Sequence, residues 1–138
     1  MRNKFTHLKT YQYKRIVDAK LFIDDNFIDT IDINSIALKA SFSKFHFLRL
    51  FKKVYGSSPH QYIINKRIGH AKLELKRTNK SVSEICLHTG FDSPASFSHL
   101  FKKMTTVSPT EYRRIIRANE QILKIKPLSG VPGCFQLI

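Results

Sequence analysis

The sequence predicts an all-α protein: seven helices forming two helix-turn-helix subdomains joined by a long linking helix. Three observations carry that expectation. The 138-residue chain states one pattern twice. Residues 36–62 contain Ile36-Ala37, Phe42, Phe47, Leu50-Phe51-Lys52-Lys53, Ser58-Pro59 and Tyr62. Residues 85–112 contain Ile85-Cys86, Phe91, Phe97, Leu100-Phe101-Lys102-Lys103, Ser108-Pro109 and Tyr112. Agreement across a whole unit marks a repeated structural module more strongly than any lone motif. The second observation is that helix starts are clearly punctuated. The third is that strand alternation is weak throughout.

The expected helices cover about 14–27, 33–40, 43–55, 58–77, 81–89, 93–105 and 108–121. The second carries Ile36-Ala37 and ends near Ser41. The third puts Phe47, Leu50, Phe51 and Val54 on one face at three- and four-residue spacings, so these should point inward. The fourth begins at Ser58-Pro59, with Gln61 three residues after the serine. Its apolar stripe is Ile64, Ile68, Ala71 and Leu75, while Lys66, Arg67, Lys72, Lys76 and Arg77 lie mostly off it. At 1.5 Å per residue it should span about 30 Å.

The fifth helix opens on Ser81 with Glu84, a capping box in which the hydroxyl and the carboxylate each take an orphan N–H. Ser93-Pro94 opens the sixth. Ser108-Pro109 with Glu111 opens the seventh. A proline at the first helical position lacks an N–H that would be unsatisfied anyway. Gly90 suits a left-handed C-cap. Its counterpart Ser41 would be a costlier residue in that conformation. The inward residues of the sixth helix are expected to be Phe97, Leu100, Phe101 and Met104. The boundaries are then 1–14 for an N-terminal extension, 15–57 for the first subdomain, 58–77 for the linking helix, 78–121 for the second subdomain and 122–138 for a C-terminal tail.

Composition narrows the partner. Lys and Arg number 24 against 10 Asp and Glu, giving a formal net charge of +14 and a pI of about 10.0. That is the electrostatic footprint of a nucleic-acid binder. An apolar fraction of 42%, with 11 Phe and 5 Tyr, suffices for a packed interior. An anionic membrane surface fits less well, because interfacial helices present one long apolar face and this chain is broken into short units. No stretch approaches the roughly 20 apolar residues needed to span a bilayer. The basic N-terminus lacks a secretory apolar region, so a cytoplasmic location is expected. The two cysteines, Cys86 and Cys134, cannot build a disulfide framework, and Cys86 reads as core.

On the third helix the inward set leaves Lys44, Phe45, Leu48, Arg49 and Lys52 facing outward. Phe45 and Leu48 are apolar where a solvated helix would carry charge. They either fill a neighbouring groove of the fold or touch thymine methyl groups, with Arg49 bonding to guanine or phosphate. On the sixth helix the outward set is Ala95, Ser96, His99 and Lys102-Lys103. Ser and His offer single hydrogen bonds where Arg offers a bidentate fork, so this second reader should be less selective.

These residues resemble the DNA-binding domain of the AraC/XylS transcriptional regulators over roughly 15–117. The carriers are Ile36-Ala37, the run Phe42 to Lys53, Gly56 with Ser58-Pro59, Arg67, Ala71, Gly90-Phe91-Asp92-Ser93, Phe97, Leu100 to Lys103, Ser108-Pro109 and Tyr112-Arg113. The resemblance implies two reading helices that enter successive major grooves on one side of a duplex. Carried over by position, the base readers are Lys44, Phe45, Leu48 and Arg49, then Pro94, Ala95, Ser96 and His99. Phosphate contacts fall to Ser43, Lys52, Lys53, Ser93, Lys102 and Lys103. Three departures stand out: Ser41 where the first turn often has Gly, Leu48 where a polar residue is common, and His99 where Arg is common.

The implied partners are double-stranded DNA and RNA polymerase, and the implied role is that of an activator. No cofactor, metal or membrane partner is expected. The flanks are too short to fold a small-molecule sensor domain, which leaves a small family member or a piece of a longer protein. The alternative reading is a non-specific basic nucleic-acid-binding protein. An enzyme is not expected: the six His and two Cys show no metal-ligand spacing, and no phosphate loop or paired nucleophile appears.

Overall fold

The computed structural model describes residues 9–125. These form seven α-helices and no strand: α1 Thr10–Asn26, α2 Ile33–Lys39, α3 Lys44–Tyr55, α4 Pro59–Arg77, α5 Val82–His88, α6 Pro94–Thr105 and α7 Pro109–Ile125. They divide into two compact units. The first holds residues up to 70 together with 88–90, and the second holds 71–87 and the residues from 91 onward. The division falls inside α4, so the linking helix expected as a segment of its own contributes to both cores.

In the first unit the core comprises Ile16, Ala19 and Ile23 of α1, Ile36 and Ala37 of α2, Phe47, Leu50 and Phe51 of α3, and Ile63 of α4. Burying a side chain such as Phe51 contributes about 1.5–3 kcal/mol. Phe51 meets Phe47 at 5.8 Å and stands edge-on to Tyr62 at 5.6 Å. The second unit repeats the arrangement. Phe101 meets Phe97 at 5.7 Å and stands edge-on to Tyr112 at 5.4 Å. The aromatic repeat in the sequence is thus one packing solution used twice.

The caps behave as local chemistry requires. Ser43, Ser58, Ser93 and Ser108 each accept from the backbone N–H three residues on. Ser81 and Glu84 form a reciprocal capping box. Ser58 with Gln61 and Ser108 with Glu111 share the spacing of the Ser81–Glu84 capping box, but their second side chains turn elsewhere. Gln61 donates its amide to Asn65, and Glu111 pairs bidentately with Arg114. A charge-assisted fork outcompetes a single backbone N–H. Asp32 caps α2 by accepting from the N–H groups of Asn34 and Ser35.

The turn after α2 takes Ser41 to φ +58°, matching Gly90 at +83° in the turn after α5. In both turns the next aromatic closes the helix end, Phe42 N–H donating to Ala37 O and Phe91 N–H to Cys86 O. The ends of α3 and α6 pair in the same way. Gly56 and Thr106 are left-handed, and each donates its N–H to a lysine carbonyl four residues back. Nothing in the sequence flagged Thr106, a β-branched residue in a conformation that strains it.

Four boundaries and faces differ from expectation. Helix α1 starts at Thr10, not near 14, and the Arg15 guanidinium lies 5.3 Å from the Tyr11 ring one turn before it. Helix α7 runs to Ile125, not 121. No Gly or Pro interrupts the sequence between Pro109 and Ile125. In α4 the buried isoleucine of the first turns is Ile63, with Ile64 only partly covered, while Ile68, Ala71 and Leu75 are buried as expected. Met104 is 37% exposed instead of inward, while Phe97 and Phe101 on the same helix are fully buried. The expectations for the N-terminal extension before residue 9, for the tail beyond 125 and for Cys134 lie outside the described residues.

Candidate nucleic-acid interface

The second helix of each helix-turn-helix, α3 or α6, packs one face on aromatic rings and leaves the opposite face uncovered. On α3, Lys44, Phe45, Arg49, Lys52 and Lys53 are exposed, Phe45 by 75%. Leu48 is only half-buried: it sits at the margin between the outward and inward faces. On α6, Pro94, Ala95, Ser96, His99, Lys102 and Lys103 are all exposed. Ser43 is exposed and Ser93 half-buried, and both hydroxyls are engaged as N-caps. They remain able to donate outward from the helix N-terminus, where backbone dipoles favour an anion.

Lys52-Lys53 and Lys102-Lys103 lie in the last turns of α3 and α6. There they complement the helix dipole as well as offering charge to a partner. The two faces differ in chemistry. The α3 face combines a large exposed ring, a long guanidinium and three lysines, and the α6 face is small and polar apart from its two lysines.

His46 was not among the expected contacts. It lines a shallow cleft beside α3 with Arg49, Leu50 and Lys53. His46, Arg49 and Lys53 recur at spacings of three and four, one edge of a helix. The His46 ring stands edge-on to Phe42 at 5.1 Å. The spacing was visible in the sequence, but the stacking partner that fixes the ring was not.

Residues 36–115 match the family described as "Helix-turn-helix domain". The chain is 40% identical over 99 residues to the transposon Tn10 TetD protein of Escherichia coli, covering 72% of each chain. It is 32% identical over 117 residues to the transcriptional activator AarP of Providencia stuartii, covering 85% of this chain and 87% of that one. The chain belongs to the AraC/XylS family of transcriptional regulators. Against some longer relatives it spans only part: 34% of the length of the regulator Rob of Salmonella typhimurium, at 31% identity.

The solved AraC-type folds agree. The DNA-binding domain of AdpA, determined in complex with a target DNA, superposes with a TM-score of 0.72 at 28% identity, covering 76% of this chain and 95% of that one. An AraC-type regulator from Chromobacterium violaceum gives 0.68 at 26% identity, over 77% and 95%. The AraC/XylS assignment therefore rests on sequence and fold together. No helix among the described residues is long and apolar enough to cross a membrane.

Proposed function

We propose that this AraC/XylS chain is a sequence-specific double-stranded DNA-binding transcription regulator that acts as an activator through contact with RNA polymerase in the cytoplasm, and that it catalyses no reaction. One α3 and one α6 enter successive major grooves on one side of a duplex. Lys44, Phe45, Leu48 and Arg49 read the first groove, and Pro94, Ala95, Ser96 and His99 read the second. Lys52, Lys53, Lys102 and Lys103, with the caps Ser43 and Ser93, hold phosphates.

The observation that carries this reading is the repeated support. The rings of Phe47, Phe51 and Tyr62 fix α3, and those of Phe97, Phe101 and Tyr112 fix α6 in the same manner. A module duplicated with its packing intact suits a partner that itself repeats. Helix α4 runs for 19 residues, about 28 Å. Exposed Phe45 favours base reading over purely electrostatic binding, since phosphate contacts need no outward aromatic ring.

Selection of bound sequences from a random duplex pool, followed by competition against random duplex across a salt series, tests this. The selected site should win by about 10³-fold or more. Its affinity should fall roughly 10³–10⁵-fold between 50 and 200 mM salt for 6–10 phosphate contacts. Equal affinity for selected and random duplex would favour a non-specific binder.

A further inference from the structure

Away from α3 and α6, the first unit carries a cleft of about 210 Å³ between α1 and α2. Its floor is Ala19, Ile36 and Ala40, all buried. Phe22 forms one wall and remains 41% exposed. Arg15, Asp18 and Lys39 stand around the mouth, two cations against one carboxylate. The Lys39 ammonium lies 5.2 Å from the Phe22 ring centre. One turn before Arg15, the half-exposed Tyr11 continues the same strip of α1, with the Arg15 and Lys9 charges against its ring. None of the side chains assigned above to DNA lines this cleft.

From this geometry we propose that the α1–α2 cleft is a protein-docking site that takes one apolar anchor side chain from an acidic peptide segment of a partner. Volume decides the class of occupant. Small-molecule and cofactor sites run from about 300 to 1,000 Å³. This cleft is smaller, and one buried anchor per pocket is how protein interfaces concentrate their affinity. Charge decides the flanks of the anchor. Arg15 and Lys39 outnumber Asp18, so carboxylates beside the anchor are drawn in and ammonium groups are repelled. Exposed rings under cations suit such a contact, because an aromatic surface with a charged edge buries area at little cost in ordering. A duplex supplies phosphates but no side-chain-sized apolar anchor.

The test uses the full chain labelled with nitrogen-15 and three end-blocked peptides. The first has one Phe between pairs of Asp, the second has the Phe between pairs of Lys, and the third has Ala between pairs of Asp. The acidic Phe peptide should shift backbone amides of residues 15–22 and 36–40 in a saturable way. The other two should bind there about tenfold more weakly. Phe22→Ala and Lys39→Ala should each weaken the first peptide about tenfold while leaving affinity for a selected DNA duplex within about twofold. Should Phe22→Ala unfold the chain, Lys39→Ala alone carries the comparison. Equal binding of the Phe and Ala peptides would overturn the proposal by showing charge attraction alone. Equal binding of the Asp and Lys peptides, no shift at the cleft, or the same amides shifting with a short duplex would overturn it too.

Discussion

Arg67 and Arg117 occupy the same place in the two units and make the same kind of contact. Arg67 donates from Nε to Phe27 O at 2.6 Å and from Nη2 to Asp29 O at 2.9 Å. Arg117 donates from Nη2 to Thr78 O at 2.9 Å and to Asn79 Oδ1 at 2.8 Å. Each guanidinium clasps the loop that leads into its unit's helix-turn-helix, and each arises from the helix that closes the unit. In the second unit Arg113 adds bonds to the carbonyls of Leu75 and Lys80. The repeat therefore extends beyond the apolar pattern to the polar ties that fix where α2 and α5 begin.

Removing a clasp should cost stability and leave the reading faces chemically intact. Arg67→Ala is expected to lose about 1.5–3 kcal/mol, since its bonds are charge-assisted. Arg67→Lys should recover little, because a single ammonium cannot reproduce the planar fork. Urea unfolding at constant salt measures both, and full recovery by lysine would refute the fork.

The left-handed turns make a prediction of opposite sign at equivalent positions. Ser41 and Thr106 carry side chains at φ +58° and +71°. Ser41→Gly and Thr106→Gly should each stabilise by about 1 kcal/mol, with the larger gain at the β-branched threonine. Gly90→Ala should do the reverse and cost about 3 kcal/mol, because a Cβ there would lie 2.2 Å from Ile28 O. Thermal unfolding of the three variants checks the order.

Asp24 gives the fold an acid-sensitive tie. It accepts from Lys20 at 2.6 Å, Lys66 at 3.1 Å and the Tyr62 hydroxyl at 2.7 Å. Burial pushes its carboxyl up, but the bonds from Lys20, Tyr62 and Lys66 together hold it below the usual carboxylate value. The folded state thus binds its proton more weakly than the unfolded chain. The stabilisation is complete above the unfolded value and drains away as pH falls through the folded one. The stability gap between the native chain and Asp24→Asn should be flat above about pH 5 and shrink below it. A gap that widens on acidification would reverse the sign of this account.

The two reading faces should respond unequally. Arg49→Ala is expected to cost about 1–3 kcal/mol in DNA affinity and to relax base preference at one position of the first half-site. His99→Ala should cost less at neutral pH and barely change preference, since one imidazole makes a single bond where the guanidinium makes two. Binding of both variants to a selected duplex measures this. A larger loss for His99→Ala would assign the dominant reader to α6.

The sequence made the apolar and capping logic of this fold readable because both depend on residues close in the chain. Ser81 with Glu84 and the Phe47, Phe51, Tyr62 spacing are local or repeated patterns. The clasps of Arg67 and Arg117 were not readable, because their acceptors are mostly backbone carbonyls, which every residue carries. The end of α7 was misplaced because the apolar pattern fades after Arg117, whereas the helix needs only the absence of a breaker to continue to Ile125. Of the site, the exposure of Phe45 and of the α6 face was legible from periodicity. The half-burial of Leu48 was not, since it sits between the two faces and neighbouring side chains decide its cover.

The central claim is that one chain uses both helix-turn-helix units on one duplex. The most direct measurement compares the affinity of the chain for a selected full site with that for the same duplex cut back to its first half-site, at one fixed salt concentration. If both units engage, losing the second half-site removes an intramolecular contact and should weaken binding by about 10²–10⁴-fold. If the shortened duplex binds within about threefold of the full one, the second unit adds nothing to recognition and the two-groove account is wrong.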